Sequence, residues 1–157
     1  MPLILDMSKR RILVVGGGKG AQSKLEALVL FDPALRLVAP QISTAVAQVL
    51  AQFTDVETIF RVFQPADLEG CDLVYAYTND IELNAQILAQ GRSRGLWGIA
   101  PGADKDFLSP AAGKSGDWIW AISSGGQNIS AAVDLRDRVG NWIQEQSQNS
   151  ARKKEQS

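Results

Sequence analysis

Three consecutive glycines, Gly16, Gly17 and Gly18, follow the apolar run Arg11-Ile12-Leu13-Val14-Val15 and precede Lys19-Gly20-Ala21. That order suits a phosphate cradle. Read as G-x-G-x-x-A, Gly16 makes a tight turn, Gly18 lets the backbone approach a pyrophosphate with no Cβ in the way, and Ala21 lets a helix pack closely on the strand. A helix opening near Ala21 would aim its free N–H groups and positive dipole end at the anion. Glycines also punctuate ordinary turns, so a plain strand–turn–helix corner is the competing reading. Context favours the nucleotide: β-formers precede the loop, and residues 21–30 place apolar side chains at helical spacing after it.

Other chemistry is narrowly bounded. The chain has no histidine and one cysteine, Cys71, which excludes an internal disulfide and the usual zinc, Cys-His and Ser-His constellations, and no metal is expected. Proton transfer must then use Asp, Glu, Lys, Tyr or Cys. Cys71, at a strand's start, reads as a small buried residue, not a thiolate or iron ligand. Tyr75 and Tyr77 alternate onto one strand face, where core packing competes with contact to a bound ring. Trp97, Trp118 and Trp120 suit either stacking on a flat macrocycle or burial in a small core or interface.

The 157 residues fit one domain of common size with room for a small appendage. Hydrophobic content of 45% and charged content of 21% describe a globular chain, and no apolar run approaches the ~20 residues of a membrane span. The start, Met1 to Met7, is apolar but has no basic leader, so a cytoplasmic location is expected. A net charge of −1 exerts no general pull on nucleic acid, and the short basic clusters at residues 9–11 and 152–154 read as solvated surface.

The elements alternate. Strands are expected at Arg11–Val15, Leu35–Ala39, Val56–Val62, Cys71–Tyr77 and Leu96–Ala100. Ser43 is placed to cap a helix running toward Phe53, and Thr78-Asn79-Asp80 to cap one carrying Leu83, Ile87 and Leu88. Repeated β-α-β units predict a doubly wound parallel α/β sheet. Ligands on such a sheet bind beyond the carboxyl ends of the strands, which marks the glycine loop, Ala39-Pro40-Gln41, Thr78-Asn79-Asp80 and residues 100–106. Thr78 and Asn79 suit either a ribose or phosphate contact or a helix cap. No Asp or Glu closes the second strand, so these residues leave NAD and NADP equally open. After residue 112 the rhythm changes to a strand at Asp117–Ile122, a turn, and a helix from about Ile129 to Gln146 with Ala132, Leu135, Val139, Trp142 and Ile143 on one face. That stripe needs a partner, either the same chain or a second copy. Residues 147–157 read as a polar, frayed tail.

Taken together, Pro2-Leu3-Ile4-Leu5-Asp6, residues 12–21 with Lys24, Val38-Ala39-Pro40, Asp72-Leu73-Val74, residues 76–80 with Leu83-Asn84, Asp106-Phe107 with Pro110-Ala111, and residues 121–126 are similar to the precorrin-2 dehydrogenase family, the amino-terminal module of siroheme synthase. The resemblance implies a Rossmann domain at residues 1–112 that binds NAD, and a dimerisation and helical region at 113–146. Family members oxidise precorrin-2 to sirohydrochlorin, and some also insert ferrous iron. A tetrapyrrole ligand and a homodimer are therefore expected.

Carried over by position, the resemblance assigns cofactor contacts to Gly16, Gly18, Lys19, Gly20, Ala21, Ala39, Pro40, Thr78, Asn79 and Asp80. It assigns substrate contacts to Ser124, Gly125, Gly126, Asn128 and Arg136. The Asp that family members use for proton transfer falls at Ala100 here, and their neighbouring Asn at Trp97. Basic residues expected in the last helix read Val133 and Asp134, and the family's Ser-Pro reads Asn128-Ile129. Asp104, four residues after Ala100, is the candidate replacement. Two functions stay open: an NAD-dependent precorrin-2 dehydrogenase, and a non-catalytic NAD- or tetrapyrrole-binding homologue acting as sensor or carrier.

Overall fold

A computed structural model describes residues 4–7 and 9–155, with side chains as far as Ser147; Pro2 and Leu3 of the motif above lie outside the described residues. The elements run β1 (Arg11–Val15), α1 (Lys19–Leu28), β2 (Ala34–Val38), α2 (Thr44–Leu50), β3 (Val56–Ile59), a 3₁₀ turn (Pro65–Leu68), β4 (Leu73–Ala76), α3 (Ile81–Ser93), β5 (Trp97–Ile99), β6 (Ala111–Ser115), β7 (Trp118–Ile122) and α4 (Ile129–Glu155). They form two compact units, Met1–Phe107 and Leu108–Ser157.

The first unit is the parallel sheet that the strand–helix rhythm predicts, in the order β3-β2-β1-β4-β5. Its central strands are predominantly apolar because both faces are covered. Ile12, Val14, Leu35, Leu37 and Tyr75 pack with Ala21 and Leu25 of α1 and Val46 and Val49 of α2. On the other face, Leu13, Val15, Val74 and Ala76 pack with Ile87 and Leu88 of α3. Arg36 interrupts the apolar run of β2, and its guanidinium donates through Nε to the Glu57 carboxylate at 2.7 Å and through Nη1 to the carbonyls of Asp67 and Glu69 at 2.9 Å each.

Several boundaries differ from expectation for local reasons. The third strand ends at Ile59, not Val62, because β2 ends at Val38, the last residue able to pair with it. Helix α1 begins at Lys19, two residues before Ala21, since Gly18 takes the extended capping conformation. Ser43 does cap α2, accepting from the Val46 N–H at 3.2 Å, and Asp80 caps α3, accepting from the Leu83 N–H at 3.0 Å.

The second unit is an antiparallel hairpin, β6-β7, with α4 laid on it. Strand β6 was not expected, because Ala-Ala-Gly-Lys-Ser carries no β-branched residue; pairing with β7 makes it a strand. Gly116 has φ +55 in the two-residue turn Gly116-Asp117, as a hairpin led by glycine requires. Trp120 fills the space over Gly113 and Gly140, where an added Cβ would lie 2.4 and 2.8 Å from its ring. Its Nε1 donates to the Arg136 carbonyl at 2.9 Å. Trp120→Ala should remove this packing and lower the unit's stability by about 3 kcal/mol, read by denaturant unfolding followed with far-UV circular dichroism. An unchanged midpoint would show that the tryptophan is not its core.

Helix α4 continues past Gln146 to Glu155, since no glycine or proline stops it. The expected stripe splits: Ala132 is buried and Val139 and Ile143 half-buried, while Leu135 and Trp142 are exposed. No helix among the described residues is long and apolar enough to cross a membrane.

Candidate functional site

The chain leaves β1 at Val15 and turns at once, with the Gly16 N–H donating to the Val38 carbonyl at 3.0 Å. Each glycine of the loop then does something different. Gly16 has φ +123, and a Cβ there would lie 2.3 Å from the Tyr77 carbonyl oxygen. A Cβ on Gly17 would lie 2.1 Å from the Gln41 carbonyl oxygen. Both glycines are therefore demanded by the protein's own backbone. Around Gly18 there is nothing within 4 Å of an added Cβ, and its φ is an ordinary −98. That glycine faces open space.

The space is a cleft of about 560 Å³ at the carboxyl edge of β1, β2 and β4. Gly16, Gly17 and Gly18 form its floor, Ala39 to Ser43 one wall with Val62 and Phe63, and Tyr77, Thr78, Asn79 and Leu83 the other. None of its lining residues carries a formal charge. The N-terminus of α1 opens beside the loop with no side-chain cap, so its first N–H groups are available to an anion. A dinucleotide fits this arrangement: an uncapped helix end for the pyrophosphate, a bare backbone at Gly18, and apolar walls for the ring systems.

Of the cofactor contacts assigned from sequence, Gly16, Gly18, Ala39, Pro40, Thr78 and Asn79 line the cleft. Lys19 and Gly20 are exposed on the first turn of α1, Ala21 is fully buried against the sheet, and Asp80 is spent on capping α3. Thr78 is held by buried Asn84: its N–H and hydroxyl both donate to Asn84 Oδ1, at 3.0 and 2.8 Å, and its carbonyl accepts from Asn84 Nδ2 at 3.1 Å. Asn79 stays on the exposed rim, so in this turn the cap falls to Asp80.

The lining adds Gly17, Gln41, Ile42, Ser43, Val62, Phe63, Tyr77 and Leu83. Val62 and Phe63 follow the carboxyl end of β3, and ending that strand at Ile59 would have marked them. The two tyrosines diverge: Tyr75 is buried, with its ring edge-on to Phe107 at 5.6 Å, while Tyr77 reaches the cleft. Burial pushes the Tyr77 phenol up to about 12, so it remains a proton donor near neutral pH.

Ala100 is 4% exposed, packed in the α3-side core. Asp104 lies exposed on the following loop and outside the cleft lining. Its carbonyl accepts from Arg92 at 2.6 Å, while the Asp106 carboxylate accepts from Arg92 Nε at 2.8 Å and the Gly98 N–H at 2.7 Å, tying the loop back to β5. The residues assigned to substrate lie on the second unit. Gly125 and Gly126 turn with φ +66 and +85, and Ser124 Oγ accepts from the Asn128 N–H at 2.7 Å. Asn128 Oδ1 accepts from the Ala131 N–H at 3.0 Å, and Arg136 pairs with Asp137. Among the described residues no three His, Cys, Asp or Glu side chains converge as metal ligands.

A parallel sheet with an uncapped helix and a glycine loop at the carboxyl end of its central strand defines a dinucleotide-binding domain of the Rossmann type. Residues 3–111 match the family described as "Putative NAD(P)-binding", and the chain belongs to that family. Among known proteins it is 34% identical over 145 residues to a siroheme synthase of Pseudomonas fluorescens (strain SBW25), and 36% identical over 145 residues to that of Pseudomonas entomophila (strain L48). Each alignment covers 91% of this chain and 31% of the relative, so the chain spans about a third of the length of these curated relatives. A solved structure of SirC, a precorrin-2 dehydrogenase, shares the fold with a TM-score of 0.69 at 22% identity, covering 90% of this chain and 70% of that one.

Proposed function

We propose that the chain is an NAD-dependent dehydrogenase of the siroheme type, oxidising precorrin-2 to sirohydrochlorin. The observation that carries this is the glycine-floored cleft, in a chain that aligns over nine-tenths of its length with siroheme synthases. Bound NAD would accept a hydride from the macrocycle, and the substrate would release one proton to balance the two-electron oxidation. The chain's own part is to bind and orient. Gly18 admits the pyrophosphate to the end of α1, Thr78 and Asn79 face the nicotinamide ribose, and the apolar walls exclude water. NAD is preferred over NADP, because an added 2′-phosphate would find no cation in the lining.

In this reading the proton passes to Asp104, since Ala100 carries no titratable group. The exposed apolar side chains of the second unit, Trp118, Ile119, Ile129, Leu135 and Trp142, favour pairing with a second copy. The second reading, a binding protein without catalysis, is favoured by one observation: no carboxylate lines the cleft.

The deciding assay follows NADH and sirohydrochlorin together, anaerobically, from precorrin-2 and NAD. Turnover is expected in the natural chain, and Asp104→Asn should lower it by about 10²–10⁴. Equal turnover in that variant would remove Asp104 from the proton path. NAD binding without turnover would support the binding-protein reading. An Ala100→Asp variant belongs alongside, with its melting measured, because position 100 is buried among apolar side chains.

A further inference from the structure

Asn84 sits where the packing of α3 calls for an apolar side chain. The helix buries Asn84, Ile87, Leu88 and Gly91, a stripe at helical spacing, and Asn84 is 1% exposed. A buried amide is costly unless its oxygen and nitrogen are both bonded. Both are, and to the same residue. Oδ1 accepts from the Thr78 N–H and the Thr78 hydroxyl, and Nδ2 donates to the Thr78 carbonyl.

Helix α3 can begin without this clasp. Its cap is Asp80, and the Asn84 N–H donates to the Asp80 carbonyl at 3.0 Å as in any first turn. The sheet does not reach Thr78 either. The pairing of β4 with β1 ends at Ala76 and Val15, closed by the Tyr77 N–H donating to the Val15 carbonyl at 2.7 Å. Thr78 lies one residue beyond, so its backbone takes its partners from a side chain instead of a strand. What the clasp holds is a residue of the cleft wall.

It also decides what Thr78 can offer. The Thr78 N–H is spent on Asn84, and the hydroxyl proton goes to Asn84 Oδ1 at 2.8 Å or the Asp80 carbonyl at 3.0 Å, while Oγ1 accepts from the Asp80 N–H at 3.2 Å. Thr78 therefore has acceptors for a ligand and no donor, and the hydroxyls of a ribose are donors of the matching kind. Which ribose follows from the topology. Strands β2 and β4 flank β1, and in such folds the adenosine ribose is read by the residues after the second strand. The adenosine then belongs on the wall from Ala39 to Ser43, and the other half of the dinucleotide on the Thr78 wall. Resting on the cofactor orientation given above, we propose that Asn84 is a positioning residue for the nicotinamide half of NAD, holding the Thr78 turn where that half's ribose docks.

The test uses the full chain and two probes titrated by calorimetry, NAD and ADP; ADP carries the adenosine and pyrophosphate but no nicotinamide half. Asn84→Leu keeps a branched side chain and completes the apolar stripe, but removes all three bonds to Thr78. It should weaken NAD about tenfold or more and leave ADP within about twofold. Asn84→Asp keeps the shape and can make the same three bonds only while its carboxyl is protonated. Its NAD affinity relative to the natural chain should therefore rise on acidification and fall as the carboxyl ionises, and it carries the comparison if the leucine variant does not fold. Unchanged NAD affinity in Asn84→Leu, ADP weakened as much as NAD, or an aspartate variant whose relative NAD affinity ignores pH would overturn the assignment. No binding of NAD by the natural chain at millimolar concentration would overturn it together with the cofactor orientation. The expected pattern in a chain that fails to oxidise precorrin-2 would sustain the role of Asn84 while removing the dehydrogenase.

Discussion

Alanine at Gly16 or Gly17 should lower the melting temperature by roughly 5–10 °C, whereas alanine at Gly18 should melt like the natural chain and fail only to bind nucleotide. The three positions are adjacent and chemically identical, so the contrast rests on surroundings alone. At Gly16 a methyl group meets the Tyr77 carbonyl at 2.3 Å with φ at +123, and at Gly17 it meets the Gln41 carbonyl at 2.1 Å. Backbone cannot step aside as a flexible side chain can, so the turn itself must shift. At Gly18 the methyl group meets nothing and the dihedral suits any residue. It would project into the cleft and hold a pyrophosphate away from the α1 N–H groups, costing about tenfold or more in affinity. Calorimetric titration with NAD, beside thermal melts, reads both halves. Undiminished affinity in Gly18→Ala would mean the cradle lies elsewhere.

The second large effect is expected at a residue outside the cleft lining. Asp67 is 3% exposed in the 3₁₀ turn. Its carboxylate takes both terminal nitrogens of Arg61, at 2.8 and 2.6 Å, and the Gln64 N–H at 2.7 Å. Burial alone would push this carboxyl up; the Arg61 hydrogen bonds, the Gln64 N–H and the Arg36 charge outweigh it and hold the group below its ordinary value. Asp67→Ala should therefore cost about 3 kcal/mol near neutral pH, the low end for a broken buried pair because Arg61 is partly exposed and can rehydrate. The sign of the pH effect follows. A carboxyl depressed in the folded state contributes fully above its unfolded value near ~3.9 and loses that contribution as pH falls through the folded value. Melting curves of the two proteins should converge on acidification. A gap that persists at the acid end would assign the loss to packing instead of charge.

Much of this was legible because the sequence states the same thing at several levels. Val14-Val15-Gly16-Gly17-Gly18 marks a strand end, a turn and an anion site at once, and Ser43 and Asp80 cap helices that apolar spacing independently requires. What escaped reading depends on the partner each segment meets in the fold. Ala111–Ser115 has no local strand preference and becomes β6 only through Trp118–Ile122. Asp67 resembles any loop acid until Arg61 folds onto it, and Leu135 and Trp142 fit an apolar stripe that the width of the hairpin does not cover. In the cleft, the floor was visible as glycines, but Val62 and Phe63 enter it because β3 stops at the point where β2 runs out of residues to pair with.

The strand that carries the glycine loop is also the middle one of its sheet. Ile12 aligns with Leu35 on one side and with Leu73 on the other. During synthesis β1 and β2 can therefore pair early, closing the short crossover through α1, while the opposite edge of β1 stays bare until β4 has been made. For that interval a strand whose last four residues are all apolar displays an unpaired edge, the condition under which nascent chains adhere to one another. Slow translation between α2 and β4 would lengthen the exposure, so the yield of folded protein should respond to elongation rate over those residues more than over the hairpin unit, where β7 follows β6 almost immediately.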